Sequence, residues 1–240
     1  MTETAAHAIT PRAWQLVLDA VELDLIEGRL SPGDHLPPER TLAADLGVGR
    51  SSVREALRVL EVLGLIRTAV GSGPSAGAII VARPGGGMSA LMRLQVAAQG
   101  FAVADVVTTR LLLEGSIVTE LAAATAPDLA ASAQILTAME REVLTEAEFL
   151  ALDAQFHLSL AEAGGNQVIT ATMAGLRSAI EGYARVGAAG LVSWPTTSAR
   201  LMHEHRGILS AILAGEADAA RLAMHAHISG YYAETHLTSH

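Results

Sequence analysis

The chain holds 240 residues, half of them hydrophobic, which is enough for two domains of ordinary size that each bury a core. Its 25 acidic residues outnumber 16 basic ones, all arginine, for a net charge of −9; that balance excludes indiscriminate coating of nucleic acid and leaves site-limited, salt-sensitive binding. The lack of cysteine excludes disulfides and thiolate metal sites, and without a signal sequence or an uncharged apolar run of about eighteen residues the expected location is the cytoplasm.

From Leu36 to Arg67 the chain reads LPPERTLAADLGVGRSSVREALRVLEVLGLIR, and its periodicity predicts two short helices around a tight turn. Thr41 to Leu46 forms the shorter helix, preceded by Pro38, which removes a cap hydroxyl but pre-sets the backbone for a helix start. Gly47 ends that helix and begins the turn Gly47-Val48-Gly49. Ser52 and Glu55 have capping-box spacing, so the second helix is expected to begin near Ser52, with Arg50 just ahead of it. Val53, Ala56, Leu57, Leu60 and Leu63 recur at the spacing of one buried face, and Arg54 and Arg58 share an exposed stripe. Arg50, Ser51, Ser52 and Arg54 can then donate to phosphates and to guanine acceptors in a DNA major groove.

Two β-prone runs follow, Leu65 to Val70 and Ala78 to Val81, joined by a Gly/Pro/Ser-rich tip. A helix-turn-helix followed by a hairpin is a winged helix. Residues 1–82 nevertheless carry 7 arginines against 10 acids, so this domain lacks a broadly basic footprint. From Leu36 to Leu60 the four arginines face only Glu39, Asp45 and Glu55, acids expected to act as caps and as partners on other faces. The competing reading is a small helical subdomain with a solvated arginine face.

Ala82 to Met88, ARPGGGM, interrupts the periodicity, so residues 83–88 read as a linker between a domain at 1–82 and another at 89–240. Beyond it about seven helices are predicted: Ser89 to Gln99, Val103 to Thr125, Asp128 to Val143, Glu146 to Ala163, Gln167 to Ala188, Thr196 to Leu213 and Ala217 to Thr235. The expected fold is mainly α, a winged helix-turn-helix of three helices plus a β-hairpin wing followed by an all-helical bundle.

Asp153 and His157 are four apart on one predicted helix, while His205 and His227 lie on two later ones, each with a second histidine two residues earlier that must face elsewhere. One carboxylate and three imidazoles converging from three helices would suit a divalent zinc, nickel or manganese ion. The plainer alternative is a set of hydrogen-bonded core histidines. Arg110 stands in a Leu/Val/Ala-rich helix where an unpaired guanidinium would be costly, and it can serve either a ligand or an ion pair with Glu114 one turn later. Asn166 and Arg177 are further ligand candidates, and Asn166 can equally cap its helix.

Residues from about Pro11 to Val81 resemble the DNA-binding domain of the GntR family of bacterial transcription regulators, through LPPERTLAADLGVGRSSVREALRVLEVLGLI. The resemblance implies DNA contacts from Arg40, Arg50, Ser51, Ser52 and Arg54, with the wing tip from Gly71 to Gly73 approaching the minor groove. That tip is uncharged here, so backbone and shape contacts are expected of it. From about Met88 onward the chain resembles the FadR-type C-terminal domain, FCD, through RLLLE, LDAQFHLSLAEAGGN, EHRGILSAILAGEADAA and MHAHI. In metal-binding members the matched ligand positions are Asp153, His157, His205 and His227, and the helix ahead of Val103 points to the seven-helix FadR subgroup. The resemblance implies a homodimeric regulator, expected to be a repressor, on a near-palindromic double-stranded operator. It further implies a small organic acid effector held between the metal and a cation, with Arg110 the leading choice. A metal-dependent hydrolase and a purely structural metal are the alternatives. Against the first, no dedicated general base is evident: Glu204 is expected to point to the side of its helix, and Glu162 lies more than one turn from His157.

Overall fold

The structure is a computed structural model that describes residues 12–69, 77–82, 85–98, 101–141 and 144–235. They fall into two compact units, Met1–Gly87 and Met88–His240.

In the first unit α1 (Ala13–Ile26), α2 (Glu39–Asp45) and α3 (Arg50–Val62) precede an antiparallel pair, β1 (Ile66–Ala69) and β2 (Gly77–Ile80), in register from Ile66↔Ile80 to Ala69↔Gly77. Val17 of α1, Leu42 and Ala43 of α2, and Val53 and Ala56 of α3 form one core cluster. Val21, Leu36, Leu60, Ile66, Ala78 and Ile80 form another, which seats the hairpin on the helices. Each such side chain, once buried, contributes about 1.5–3 kcal/mol if it is the size of Val, Leu or Ile.

Three local features depart from the expectations of the sequence. The helix carrying the arginines starts at Arg50, not near Ser52, and no side chain caps it. Gly49 is already extended, and its carbonyl accepts from Ser52 N at 3.0 Å and Val53 N at 3.2 Å, so Ser52 lies inside the first turn and the Ser52–Glu55 capping box does not form. The shorter helix likewise starts at Glu39, with Pro38 as its N-cap residue. Leu63 lies past the end of α3 and is half-exposed, because Gly64 adopts a positive φ of 74° that turns the chain into β1. Gly47 has the left-handed conformation expected of it, with φ at 63°.

Seven helices follow among the described residues: α4 (Gly85–Ala97), α5 (Val103–Ala123), α6 (Ala130–Met139), α7 (Glu146–Ala163), α8 (Gln167–Ala188), α9 (Trp194–Leu213) and α10 (Ala217–Glu234). The glycines expected to form a linker, Gly85 to Gly87, are instead the first turn of α4. Glycine disfavours a helix by about 1 kcal/mol per residue but, unlike proline, does not block it. α4 ends at Ala97 and α6 at Met139, short of the ends predicted at Gln99 and Val143, two residues that lie outside the described ones.

The bundle is built around α5, which packs along α10 and buries Val106, Val107, Ile117, Val118 and Leu121. Next to it α7 packs between α6 and α8, and α9 packs on α10. α7 opens with a capping box, Thr145 N donating to Glu148 Oε2 at 2.8 Å and Glu148 N to Thr145 Oγ1 at 3.3 Å. α8 is glycine at residue 175, where a methyl group would collide with Met92 of α4. No described helix is long and apolar enough to cross a membrane.

Candidate metal centre and nucleic-acid interface

Within the bundle α7 places Asp153 and His157 on one face, while α9 and α10 bring His205 and His227 to the same point. All four are buried, and one ligand atom from each lies within 4.8 Å of the others. The four residues that sequence spacing nominated are therefore brought together. Asp153 Oδ1 is 3.1 Å from His205 Nε2 and 4.0 Å from His227 Nε2, and Asp153 Oδ2 is 3.9 Å from His157 Nε2. His203 and His225, the neighbours two residues earlier, are exposed.

Two glutamates set the imidazoles. Glu114 of α5 pairs with His157 Nδ1, and Glu204 of α9 meets His227 Nδ1 at 2.8 Å. Burial would raise the Glu114 carboxyl, but the Arg110 guanidinium and His157 overcome it and hold it down to about 2. Burial would likewise raise Glu204, and His227 and Arg200 lower it below its ordinary value. Both carboxylates are thus ionised acceptors, so both Nδ1 atoms donate and the Nε2 atoms are the ring nitrogens left to face a metal. Those Nε2 atoms face each other at 3.1 Å. That separation suits either a shared proton or two imidazole donors to one metal ion.

The remaining groups agree. Burial pushes His205 below its ordinary value, and burial followed by the neighbouring His205 pushes His227 down to about 4, so both rings are neutral near pH 7. Against the raising effect of burial, the imidazoles, His205 first, keep the Asp153 carboxyl well below the usual range. His205 Nε2 is close to Asp153 but not aligned for a hydrogen bond, and neither ring nitrogen of His205 has a hydrogen-bond partner among the described residues. An orphaned buried nitrogen beside a carboxylate and two further imidazole nitrogens fits a metal ion: donors held at roughly 2.0–2.2 Å from one centre stand some 3–4 Å apart.

Arg110 makes the ion pair with Glu114 foreseen for it. Its Nε donates to Glu114 Oε1 at 2.7 Å and its Nη1 to the Tyr232 hydroxyl at 3.4 Å, while Nη2 is buried without a partner among the described residues. Arg110, Asp153 and His227 line one cavity of about 10 Å³, closed by Leu201, Tyr231 and Tyr232 among others. Asn166 is not among its lining residues. It caps α8, its Oδ1 accepting from Val168 N at 3.1 Å and Ile169 N at 3.2 Å. Arg177, half-buried on the same helix, does not line the cavity either.

Sequence reasoning missed Glu114 as the support of His157 and expected Glu204 to point aside. Helical spacing describes neighbours on one helix, whereas Glu204 reaches a histidine on the next. The available signal was Glu114 itself, an acid inside the apolar run LLLEGSIV.

In the first unit Arg40, Arg50, Ser51 and Arg54 are exposed and Ser52 is half-buried, the last four within the first five residues of α3. Gly73 lies outside the described residues. Glu39 does not lie on another face as expected: Arg54 Nε donates to its Oε2 at 2.8 Å, and Arg50 Nη2 approaches the same oxygen at 3.7 Å.

Comparison with known proteins matches residues 15–74 to the bacterial regulatory proteins, gntR family, and residues 105–230 to the FCD domain. The Uxu operon regulator of Haemophilus influenzae is 32% identical over 232 residues, spanning 92% of this chain and 80% of that protein. The transcriptional repressor NanR of Escherichia coli K12 is 29% identical over 236 residues, spanning 92% and 84%. The solved Streptococcus agalactiae GntR structure is similar with a TM-score of 0.62 and 26% identity, covering 95% of this chain and all of that one. These relatives carry the names of an operon regulator and a transcriptional repressor. The chain belongs to the GntR family of bacterial regulatory proteins: it is a DNA-binding transcription regulator with a winged helix-turn-helix at one end and an FCD domain at the other.

Proposed function

We propose that this regulator is a cytoplasmic, homodimeric repressor of the FadR subfamily whose operator binding is switched by a small organic acid at a divalent-metal centre. Asp153, His157, His205 and His227 hold the ion, for which zinc, nickel or manganese suits the donor set. When bound, the metal supplies a Lewis-acidic anchor for a carboxylate. The chain contributes the rest: Glu114 and Glu204 orient two imidazoles, and Arg110 offers its free Nη2 to the ligand's anionic end.

The observation that carries this reading is the pair of orphaned buried nitrogens, Arg110 Nη2 and His205 Nε2. Arg110 opens on the same cavity as Asp153 and His227. A buried guanidinium nitrogen without a partner is costly, and a carboxylate satisfies it. At about 10 Å³ the cavity has room for one water molecule, so an acid enters only as the walls part. Those walls include residues of α5, α7, α8, α9 and α10, so ligand entry and helix movement are one event. An effector with different affinity for the two arrangements then shifts operator affinity, typically by 1–3 kcal/mol of coupling.

On DNA, two winged helices meet two half-sites of a near-palindromic operator, as two-fold symmetry favours. Arg40, Arg50, Ser51, Ser52 and Arg54 contact the duplex. The test of the ligand site is a thermal-shift screen of small carboxylic acids on metal-loaded and chelated protein. A metal-dependent rise in Tm with one class of acid supports the switch. The tightness of the cavity favours a second reading, a structural metal, and a panel that shifts nothing while the metal itself raises Tm selects it.

A further inference from the structure

We propose that Glu39 is a positioning residue for sequence reading: it aims the Arg54 guanidinium and suppresses binding to the wrong DNA. The inference rests on the reading that Arg54 meets a base edge. Glu39 opens α2 and Arg54 lies on α3, so their 2.8 Å contact ties the two helices of the helix-turn-helix through a side chain of the DNA-facing surface. The contact uses Arg54 Nε, which leaves Nη1 and Nη2 as the donor pair for a guanine O6 and N7. An arginine held at Nε loses less rotamer freedom when it docks, and it docks in one orientation.

The energetics point away from a role in the fold. Glu39 is one-third exposed and Arg54 more than half exposed, and ion pairs at such solvent-screened sites contribute little to stability. Its effect on DNA is larger because Arg50 approaches the same oxygen, at 3.7 Å, and Arg40 is the next residue. One carboxylate among three arginines weakens attraction to any phosphate backbone. At the operator, Arg54 repays this through a base contact; elsewhere, nothing does. Discrimination by an added repulsive element is a general route to specificity.

The experiment uses the full chain, a duplex selected by the wild-type protein from a random-sequence library, and a scrambled duplex of equal length. Glu39→Gln keeps an acceptor for Nε without the charge, and Glu39→Ala removes both. The ratio of selected to scrambled affinity is expected to fall in the order wild type, Glu39→Gln, Glu39→Ala, by at least about threefold overall. Affinity for the scrambled duplex should hold or rise. In an Arg54→Ala background, Glu39→Ala should cause no further fall in the ratio. Selected and scrambled affinities that drop by the same factor, an unchanged ratio, or an equal fall in the Arg54→Ala background each overturn the proposal. Should Glu39→Ala fail to fold, Glu39→Gln carries the same comparisons. An Arg54→Ala protein with an unaltered ratio overturns the base contact itself and the proposal with it. An Arg54→Ala effect without any Glu39 effect overturns only the positioning role.

Discussion

The Nε2 atoms of His157 and His227 face each other across 3.1 Å, while each ring's Nδ1 is held by a glutamate on a helix other than its own. Glu114 and Glu204 thereby hold each ring at Nδ1 and turn both Nε2 atoms inward. Removing such a support commonly costs about 10–100-fold in metal affinity, because the ring is freed to rotate and loses basicity. Glu204→Ala is expected to weaken metal binding within that range, as read by chelator competition. Unaltered affinity would show that His227 is oriented by packing alone.

Replacing His205 and His227 together by alanine takes two of four donors from the centre. The double variant is expected to purify without stoichiometric metal by elemental analysis, while metal-free operator affinity stays near that of chelated wild-type protein. Retained metal in that protein would place the ion elsewhere.

Arg54→Ala removes a donor pair from the first turns of α3. A selected operator should bind about 1–3 kcal/mol more weakly, the usual worth of a bidentate base contact. Fluorescence anisotropy at fixed salt measures it, and a scrambled duplex should lose far less.

Asn166 caps α8 at its first turn. Asn166→Ala should cost about 1 kcal/mol and lower Tm by roughly 2–4 °C, with metal content and any response to acid unchanged. Loss of the acid response at full metal loading would return Asn166 to the ligand site.

Much of this was legible in the sequence where one helix carries the signal. α7 and α8 occupy the spans that periodicity predicts, because Thr145, the Gly164-Gly165 pair and Asn166 mark their ends chemically. Asp153 and His157 were readable as a pair for the same reason, being one turn apart. The start of α3 was misjudged because two sequence signals competed: Ser52 and Glu55 match a capping box as well as Thr145 and Glu148 do, but Gly49 already supplies the extended backbone. What spacing does not reveal is contact between helices. Glu114 on His157, Glu204 on His227, Tyr232 on Arg110 and Glu39 on Arg54 are all of that kind.

Operator affinity of metal-loaded protein, measured with and without a saturating small carboxylic acid, tests the proposed switch most directly. The acid should weaken binding by about 5–150-fold when metal is present and have no effect after chelation. Identical affinities with and without every acid that binds, or an equal response from chelated protein, would contradict a metal-anchored effector.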